Sequence, residues 1–557
     1  MTHSNSNRLT RDWLRMVYDK MRYLISLEDQ LSDDFKSLSG VLIGDPASPI
    51  LWNLYLATLD FPLDPDDADL EGTHISHLEH ADDMVIMSRT VQGLHRHLKQ
   101  LEGWCYDNFL ALDPKKSKVM IFGNLPQEPP RFLIRGMQLQ IVPTYKYVGV
   151  NFSSTSRDMF SDLYHAKAKS AIASAQGVLG TDRLVGRHRL PPTVCRNLYT
   201  ALVDCHLISG CEVALDVGVD GPRKLDDIQV NFLRRMLHLG SHSIRSILFT
   251  ETAIFPIRQR RLILALRFLL YLITRPPPAT GGVHLTTLAL HASNRLRMAG
   301  LTSCMADLDF LISRSSDRSG LSLRLPLMED LSDMGIKDLI RKLSSMTCRN
   351  LQNDVDTFSR LSLIQNRREP VDPVISDDPP THHTLHLRHY LTNVPNYKHR
   401  ISLTRLLLGG WVPCVFRASP SRTPNMHDDR LLYLCRSCGA HYETPEHVML
   451  VCPADEELSE LREQFMASLP PRQHSNAHLT DDEAFEFLKG CIYSWHLVAR
   501  TAKFVYQVVT LWQRKLMEGF RWFEEDVGDS GEDSAEEDMA DVNSDDCDFR
   551  SHDDDRE

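Results

Sequence analysis

Residues 73–90 read THISHLEHADDMVIMSRT, two short runs of apolar and β-branched residues flanking Ala81-Asp82-Asp83. Runs of this composition around a small polar centre predict a hairpin with two carboxylates at its tip. An Asp-Asp pair alone is most often just a turn, so its neighbours decide the reading. Upstream, GVLIGDPASPILWNLYLATLDF (40–61) opens with the glycines and prolines of a turn and continues as a strongly apolar helix from Ile50 to Leu59. Before it, a Thr10 cap followed by Trp13, Leu14, Val17, Met21 and Leu24 predicts a first helix. Downstream, Thr90 caps a helix bearing Val91, Leu94, Leu98, Leu101 and Cys105 on one face and ending near Asp113-Pro114. Two further strands fit SKVMIFG (117–123) and YKYVGVNF (145–152).

From about Asp158 the pattern becomes helical, with amphipathic stretches at Ala166 to Leu179, Val194 to Ile208 and Lys224 to Leu239. Proline-rich breaks stand at RPPPATGG (275–282) and REPVDPVISDDPP (368–380). The most apolar run, LILALRFLLYLI (262–273), contains Arg267 and is too short for a bilayer span, so it is expected to be a buried helix of a soluble chain. The first 20 residues have no continuous apolar stretch, so no signal peptide is expected.

The 557 residues, 42% apolar and 24% charged, suit a folded chain of roughly three to four domains. The formal charge of -12 is misleading for the body of the protein. Residues 524–557 hold 17 acidic and 2 basic side chains, which leaves 60 basic against 57 acidic in residues 1–523. That body is near neutral with clustered cations, and the tail has the composition of a disordered polyanion. Twelve unevenly spaced cysteines make no disulfide framework and favour a reducing compartment.

In order along the chain, these segments resemble the palm of reverse transcriptases from non-LTR (LINE-like) retrotransposons. Residues 40–56 are similar to the family's G-x-x-Q-G-x-x-x-S-P loop and helix, with Gly40, Gly44, Pro46, Ser48, Pro49 and Asn53 matching and Ile43 at the glutamine position. HADD resembles the aromatic-Ala-Asp-Asp hairpin, with His80 in place of the aromatic residue. LALDPKKSKVMIFG (110–123) looks like the segment carrying a functional lysine, here Lys116 beside Ser117. YKYVGVNF is similar to the primer-grip element through Tyr145, Tyr147 and Gly149. The stretches at 199–218, 232–239 and 251–272 are similar to the helical region that follows the palm.

The resemblance implies RNA-directed DNA polymerisation with RNA template and DNA primer as partners and no membrane. Asp82 and Asp83 would hold Mg²⁺ for an in-line displacement on phosphate, and Lys116 would offset triphosphate charge. Gly44, Pro46, Ser48, Asn53, Tyr147 and Gly149 would line nucleotide and template. The family's third aspartate comes from an F-x-D-x-x-x-A-F-D segment well upstream of the loop, and the fingers lie upstream too. Residues 1–39 look like the elements after that segment, so the chain is expected to be N-terminally truncated and poor at synthesis by itself. A non-catalytic nucleic-acid-binding relic is the rival expectation. The nucleus is implied only by the resemblance, and the oligomeric state stays open.

CRSCGAHYETPEHVMLVCP (435–453) sets Cys435, Cys438, His447 and Cys452 in a C-x2-C-x8-H-x4-C pattern. Three thiolates and an imidazole are the soft tetrahedral set that Zn²⁺ favours, against chance clustering in a chain with 12 cysteines and 25 histidines. The segment, with Glu443-Thr444 before the histidine, also looks like the zinc-binding C-terminal segment of the same family. The histidines of THHTLHLRHY (381–390) form no such pattern and are expected on a surface element. Arg234, Arg235, Arg258, Arg260, Arg261 and Arg267 are candidates for phosphate contact or for a solvated face balanced by acids. The expected architecture is α+β: a partial palm (1–155), a helical thumb or connection region (156–275), a helical region with proline-rich linkers (276–400), a zinc-binding segment (401–470), C-terminal helices (471–523) and the disordered acidic tail (524–557).

Overall fold

The computed structural model describes residues 2–514 except 28–29, 37–39, 43, 124–127, 157, 187–188, 279–280, 316–322, 368–381, 411–434, 436 and 471–478. Ile43, the break at 368–380 and the acidic tail lie outside the described residues. The chain divides into two compact units between Val148 and Gly149.

The first unit is a mixed unit of helices and very short strands. Helix α1 (Thr2–Lys20) begins well before Thr10, which therefore lies inside it rather than capping it. The preceding residues contain neither glycine nor proline, so nothing in them stops the helix from extending. Hairpin β1 (Ser26–Leu27) and β2 (Gln30–Leu31) follows, flanked by stacked Tyr23 and Phe35 rings 5.9 Å apart. Helix α2 (Ser48–Leu56) has Pro49 in its first turn, where a missing N–H costs nothing. Hairpins β3 (Ala68–Leu70) with β4 (Thr73–Ile75) and β5 (His77–His80) with β6 (Asp83–Ile86) come next.

Helix α3 (Val91–Asp107) organises this unit. The Thr90 side chain accepts from the Gly93 N–H at 3.0 Å, the cap expected from the sequence. The expected apolar face is the one buried, with Leu98 in one core beside Val119, Phe132, Ile134 and Leu139, and Leu101 and Cys105 in a second beside Leu59 and Phe61. Polar clamps add to this packing. Arg96 joins Asp64 and Asp66, and buried His97 meets buried Asp67 at 2.7 Å. A Cβ at Gly93 would collide with the Ser88 hydroxyl and come within 2.6 Å of the Asp66 Cβ, so only glycine allows this approach. The helix ends six residues before Asp113, because Phe109 turns to φ +57° and the Leu110 N–H bonds back to the Cys105 carbonyl at 2.8 Å. The remaining strands are β7 (Lys118–Val119), β8 (Leu133–Ile134), β9 (Met137–Gln138), β10 (Gln140–Ile141) and β11 (Thr144–Tyr147), with β7 and β10 parallel and β8 and β9 a hairpin.

Among the described residues the second unit is helical apart from short β12 (Val150–Ser153) and isolated bridges. Helices α4 (Ser161–Val185), α5 (Pro192–Leu198), α6 (Asp204–Ile208) and α7 (Asp220–Leu237) cover the three predicted amphipathic stretches. A π turn at Tyr199–Val203 joins α5 to α6 into one run. Helix α8 (Arg245–Thr252) leads to α9 (Ile257–Thr274), which buries Leu262, Ile263, Ala265, Leu266 and Leu269 and leaves Arg267 exposed. Among the described residues no helix is long and apolar enough to cross a membrane. The described part of 275–282 is a loop, as its prolines predict. Helices α10 (Leu285–Met298), α11 (Cys304–Arg314) and α12 (Asp333–Thr357) pack with α9 around a separate core. Short α13 (His389–Asn393), α14 (Tyr397–Arg405), α15 (Glu456–Ala467), α16 (Asp481–Ile492) and α17 (Val498–Arg514) complete the larger core, with α14 and α15 against α17.

A buried ionic knot ties α8 to the segment before α13. Glu251 is fully buried and bonds the Arg367 guanidinium and the Tyr390 hydroxyl, each at 2.8 Å, with Arg388 Nε 3.5 Å away. The Arg388 N–H donates to the Glu251 carbonyl at 3.1 Å. Burial opposes ionisation of Glu251, but the two arginines and the Arg367 and Tyr390 hydrogen bonds outweigh it and hold the carboxyl below its ordinary 4.5. Within the 381–390 stretch His382, His383 and His386 are exposed, as expected of a surface element, whereas Arg388, His389 and Tyr390 at its end are buried. The Glu251 carboxylate that draws Arg388 inward is 137 residues away and was invisible to local pattern.

Candidate functional site

In the first unit, the β5–β6 register pairs His80 with Asp83, leaving Ala81-Asp82 as a two-residue loop. Ala81 takes φ +54°, a position where such turns normally use glycine. Asp82 and Asp83 are exposed at adjacent positions of this tip. The Trp52 indole N–H donates to the Ala81 carbonyl at 2.7 Å, so α2 holds the tip from behind. Tyr55 on the same helix donates to the Asn108 carbonyl, and Trp104 of α3 donates to Thr58 at 3.2 Å. The apolar helix after the glycine-proline turn thus carries the hairpin, and Trp52 is a supporting residue that sequence pattern did not single out.

The turn before α2 is wound on Ser48, whose hydroxyl donates to the Leu42 carbonyl at 2.6 Å while Ser48 itself is buried. Gly44 has φ +87° and is exposed beside Pro46. Asn53 is exposed on α2. Tyr147 at the end of β11 is partly buried, and that burial, reinforced by the nearby Asp83 carboxylate, raises its phenol above the ordinary range. Val148 and Gly149 follow with φ +45° and +81°. Lys116 is exposed in the turn before β7, and among the described residues no hydrogen bond or ion pair joins it to either aspartate. Among the described residues Asp82 and Asp83 belong to no group of three His, Cys, Asp or Glu ligand atoms lying within 4.8 Å of one another.

In the second unit, Cys435, Cys438, His447 and Cys452 do form such a group. Cys435 Sγ lies 3.7 Å from Cys452 Sγ, and Cys438 Sγ lies 3.4 Å from His447 Nε2. A tetrahedron with Zn–S of about 2.3 Å and Zn–N of about 2.05 Å has S–S edges of about 3.8 Å and S–N edges of about 3.6 Å. The donor set and its spacing fit zinc. The first two ligands sit on a knuckle closed by the Gly439 N–H on the Cys435 carbonyl at 2.8 Å, with Gly439 at φ +64°. The other two sit at the ends of a π turn, His447–Val451, closed by the Cys452 N–H on the His447 carbonyl at 2.8 Å. An α-helix would set residues five apart about 140° around its axis, whereas the wider turn brings them to one face. Arg462 of α15 donates to the carbonyls of Met449 (3.0 Å) and Cys452 (2.9 Å).

The thiols differ sharply. Burial pushes Cys452 up to about 12 and also raises Cys435. At Cys438 burial is outweighed by the backbone N–H groups of Ala440 and His441 and by the His447 and Cys435 side chains, which draw it down to about 6. One thiolate is thus available near neutrality, and loading a cation would release protons from the others.

The basic clusters are largely committed to internal pairs. Arg261 is buried against Asp216 at 2.9 Å and also donates to the Leu207 and Ala214 carbonyls. Arg260 meets buried Asp204 at 2.7 Å, Arg258 lies 3.6 Å from Asp226, and Arg234 donates to Ser243. The reading as arginines balanced by acids holds for Arg258, Arg260 and Arg261, whose partners are Asp226, Asp204 and Asp216, whereas Arg234 is held by Ser243. Only Arg267 stands exposed on α9 without a described ion pair.

No curated protein shows significant similarity to the chain. Residues 3–152, which run from α1 into β12, match the family model described as reverse transcriptase (RNA-dependent DNA polymerase).

Proposed function

We propose that the chain serves RNA-directed DNA synthesis as part of a non-LTR retroelement protein, with residues 1–155 as a partial palm and the helices after it as thumb and connection. The observation that supports this most is a pair of exposed aspartates at a two-residue hairpin tip inside the segment that matches the reverse transcriptase model. Carboxylate oxygens suit Mg²⁺. When bound, a magnesium pair would stabilise the attacking and leaving oxygens of nucleotidyl transfer. Asp82 and Asp83 supply only part of such a ligand set. Trp52 and α2 hold them in place, Tyr147 closes one flank, and Gly44, Pro46, Ser48 and Asn53 present a turn and helix edge to template and nucleotide. Lys116, exposed on its turn, is free to swing toward triphosphate. Cys435, Cys438, His447 and Cys452 hold a structural zinc. The reading places the protein in the nucleus.

With two carboxylates at the tip and no third within ligand distance among the described residues, a purified protein of this sequence extends a primer poorly. The rival reading, a nucleic-acid-binding relic, is favoured by His80 and Ile43 at positions where the family has an aromatic residue and glutamine. Primer extension on an RNA template with Mg²⁺ or Mn²⁺, run beside binding of the same RNA–DNA hybrid, separates the two. Weak extension lost in Asp82→Ala supports the polymerase. Salt-sensitive binding with no extension under either cation supports the relic. Robust extension abolished by Asp82→Ala overturns the expected impairment.

A further inference from the structure

One group beside the cysteine and histidine ligands belongs to neither their motif nor their segment. Asp481, 34 residues beyond His447, places Oδ1 3.0 Å from His447 Nδ1. Its other oxygen lies 3.4 Å from Nδ1 of His441, whose ring stacks on His447 at 4.9 Å. His447 is fully buried, so its Nδ1 has no water to satisfy it. Asp481 is not placed there by chance of a mobile side chain. It is the first residue of α16, and a capping box fixes that helix start: the Thr480 N–H donates to the Glu483 carboxylate at 2.9 Å, and the Glu483 N–H to the Thr480 hydroxyl at 3.3 Å.

Resting on the zinc reading above, we infer that Asp481 is the positioning residue of the metal centre. It accepts the Nδ1 proton of His447, fixes the tautomer that turns the Nε2 lone pair toward the three thiolates, and makes cation retention depend on α16 being folded. A carboxylate behind a ligating imidazole orients the ring and raises its basicity. The alternative use of the same atoms is a second cation on His441, His447 and Asp481, whose ligand atoms also cluster within 4.8 Å. That arrangement needs His447 to ligate through both nitrogens as an imidazolate, losing a proton that a neutral ring holds strongly. One cation with a hydrogen-bonded carboxylate requires no such loss. The same geometry makes the centre a clamp on three segments: the 435–452 ligand stretch, α15 through Arg462, and α16 through Asp481.

The test is cobalt titration of the full chain, read by thiolate charge-transfer and d–d bands, in the wild type, Asp481→Ala, Asp481→Glu and, as a ligand control, Cys438→Ser. One tetrahedral cobalt is expected in the wild type, with the intensity of those bands lost in Cys438→Ser. Asp481→Ala keeps the tetrahedral spectrum but binds about 10- to 100-fold more weakly, and Asp481→Glu recovers part of the loss. Nitrogen NMR of the zinc-loaded wild type shows the His447 proton on Nδ1, and zinc slows proteolysis within α16 in the wild type more than in Asp481→Ala. Equal affinity in wild type and Asp481→Ala, with the tetrahedral bands present in both, overturns the role of Asp481 while leaving the zinc centre standing. Two bound equivalents lost together in Asp481→Ala overturn it in favour of a second cation site. A wild type without tetrahedral bands overturns the zinc reading and this inference with it.

Discussion

The two candidate sites of this protein are built on opposite plans. Asp82 and Asp83 stand exposed on a four-residue strand pair, braced by one indole hydrogen bond to a carbonyl. The Cys435, Cys438, His447 and Cys452 donors are turned inward, two of the cysteines and the histidine almost wholly buried, and already gathered within 4.8 Å of one another. A site for a charged polymer and nucleotide has to remain open, so its carboxylates keep their water and gain their function only when substrate and cation arrive. A structural centre has to be closed, so its donors are bound into the core, where burial raises the Cys435 and Cys452 thiols and hydrogen bonds lower that of Cys438. On the proposed roles, stability should depend on the second site and be nearly indifferent to the first.

The largest effect that would sharpen this contrast is removal of the metal. Cys452→Ser, or chelation, should leave less than half an equivalent of zinc and cost the ligand stretch a binding free energy on the order of 10 kcal/mol, seen as a lost or split thermal transition. Full zinc content in Cys452→Ser would break the comparison at its stronger end.

Next is the Glu251 knot. Glu251→Ala leaves Arg367 and Arg388 buried without their counter-charge and should destabilise the second unit by about 3–5 kcal/mol in urea unfolding. Its pH dependence has a definite sign. The folded carboxyl lies below 4.5, so its contribution is complete above that value and is lost as pH falls through the folded pKa. The wild type should show this acid loss and the alanine variant a flatter acid limb.

Leu101→Ala, in the smaller core under α3, should cost about 2–4 kcal/mol and unfold the first unit without releasing zinc. Zinc loss in that variant would show the two plans to be coupled. At the hairpin itself the expected effects on stability are small. Ala81→Gly relieves roughly 1–2 kcal/mol of left-handed strain against about 0.4–1 kcal/mol of added unfolded-chain entropy, a net gain between about 0 and 1.6 kcal/mol. Asp82→Ala should change unfolding free energy by less than about 0.5 kcal/mol while removing whatever primer extension the protein has.

Local chemistry in the chain was enough to place the hairpin tip, the Thr90 cap, the apolar face of α3 and the C-x2-C-x8-H-x4-C ligands, because each depends on neighbours a few residues away. The Thr480–Glu483 capping box is likewise written in four consecutive residues. Thr10 misled because a good cap residue is no cap when the helix can continue past it. Phe109 ended α3 early through a left-handed turn that a bulky residue does not advertise.

Only the tertiary structure decided which charges are free and which are spent. Arg261, Arg388 and Glu251 look like surface residues in a sequence, and each is drawn inside by partners 45 to 139 residues away. The Asp481 carboxylate behind His447 and the Trp52 indole behind Ala81 belong to the same class. Periodicity and spacing report what a residue's own segment needs, whereas the partner of a buried polar group is chosen by whichever distant element packing delivers to it.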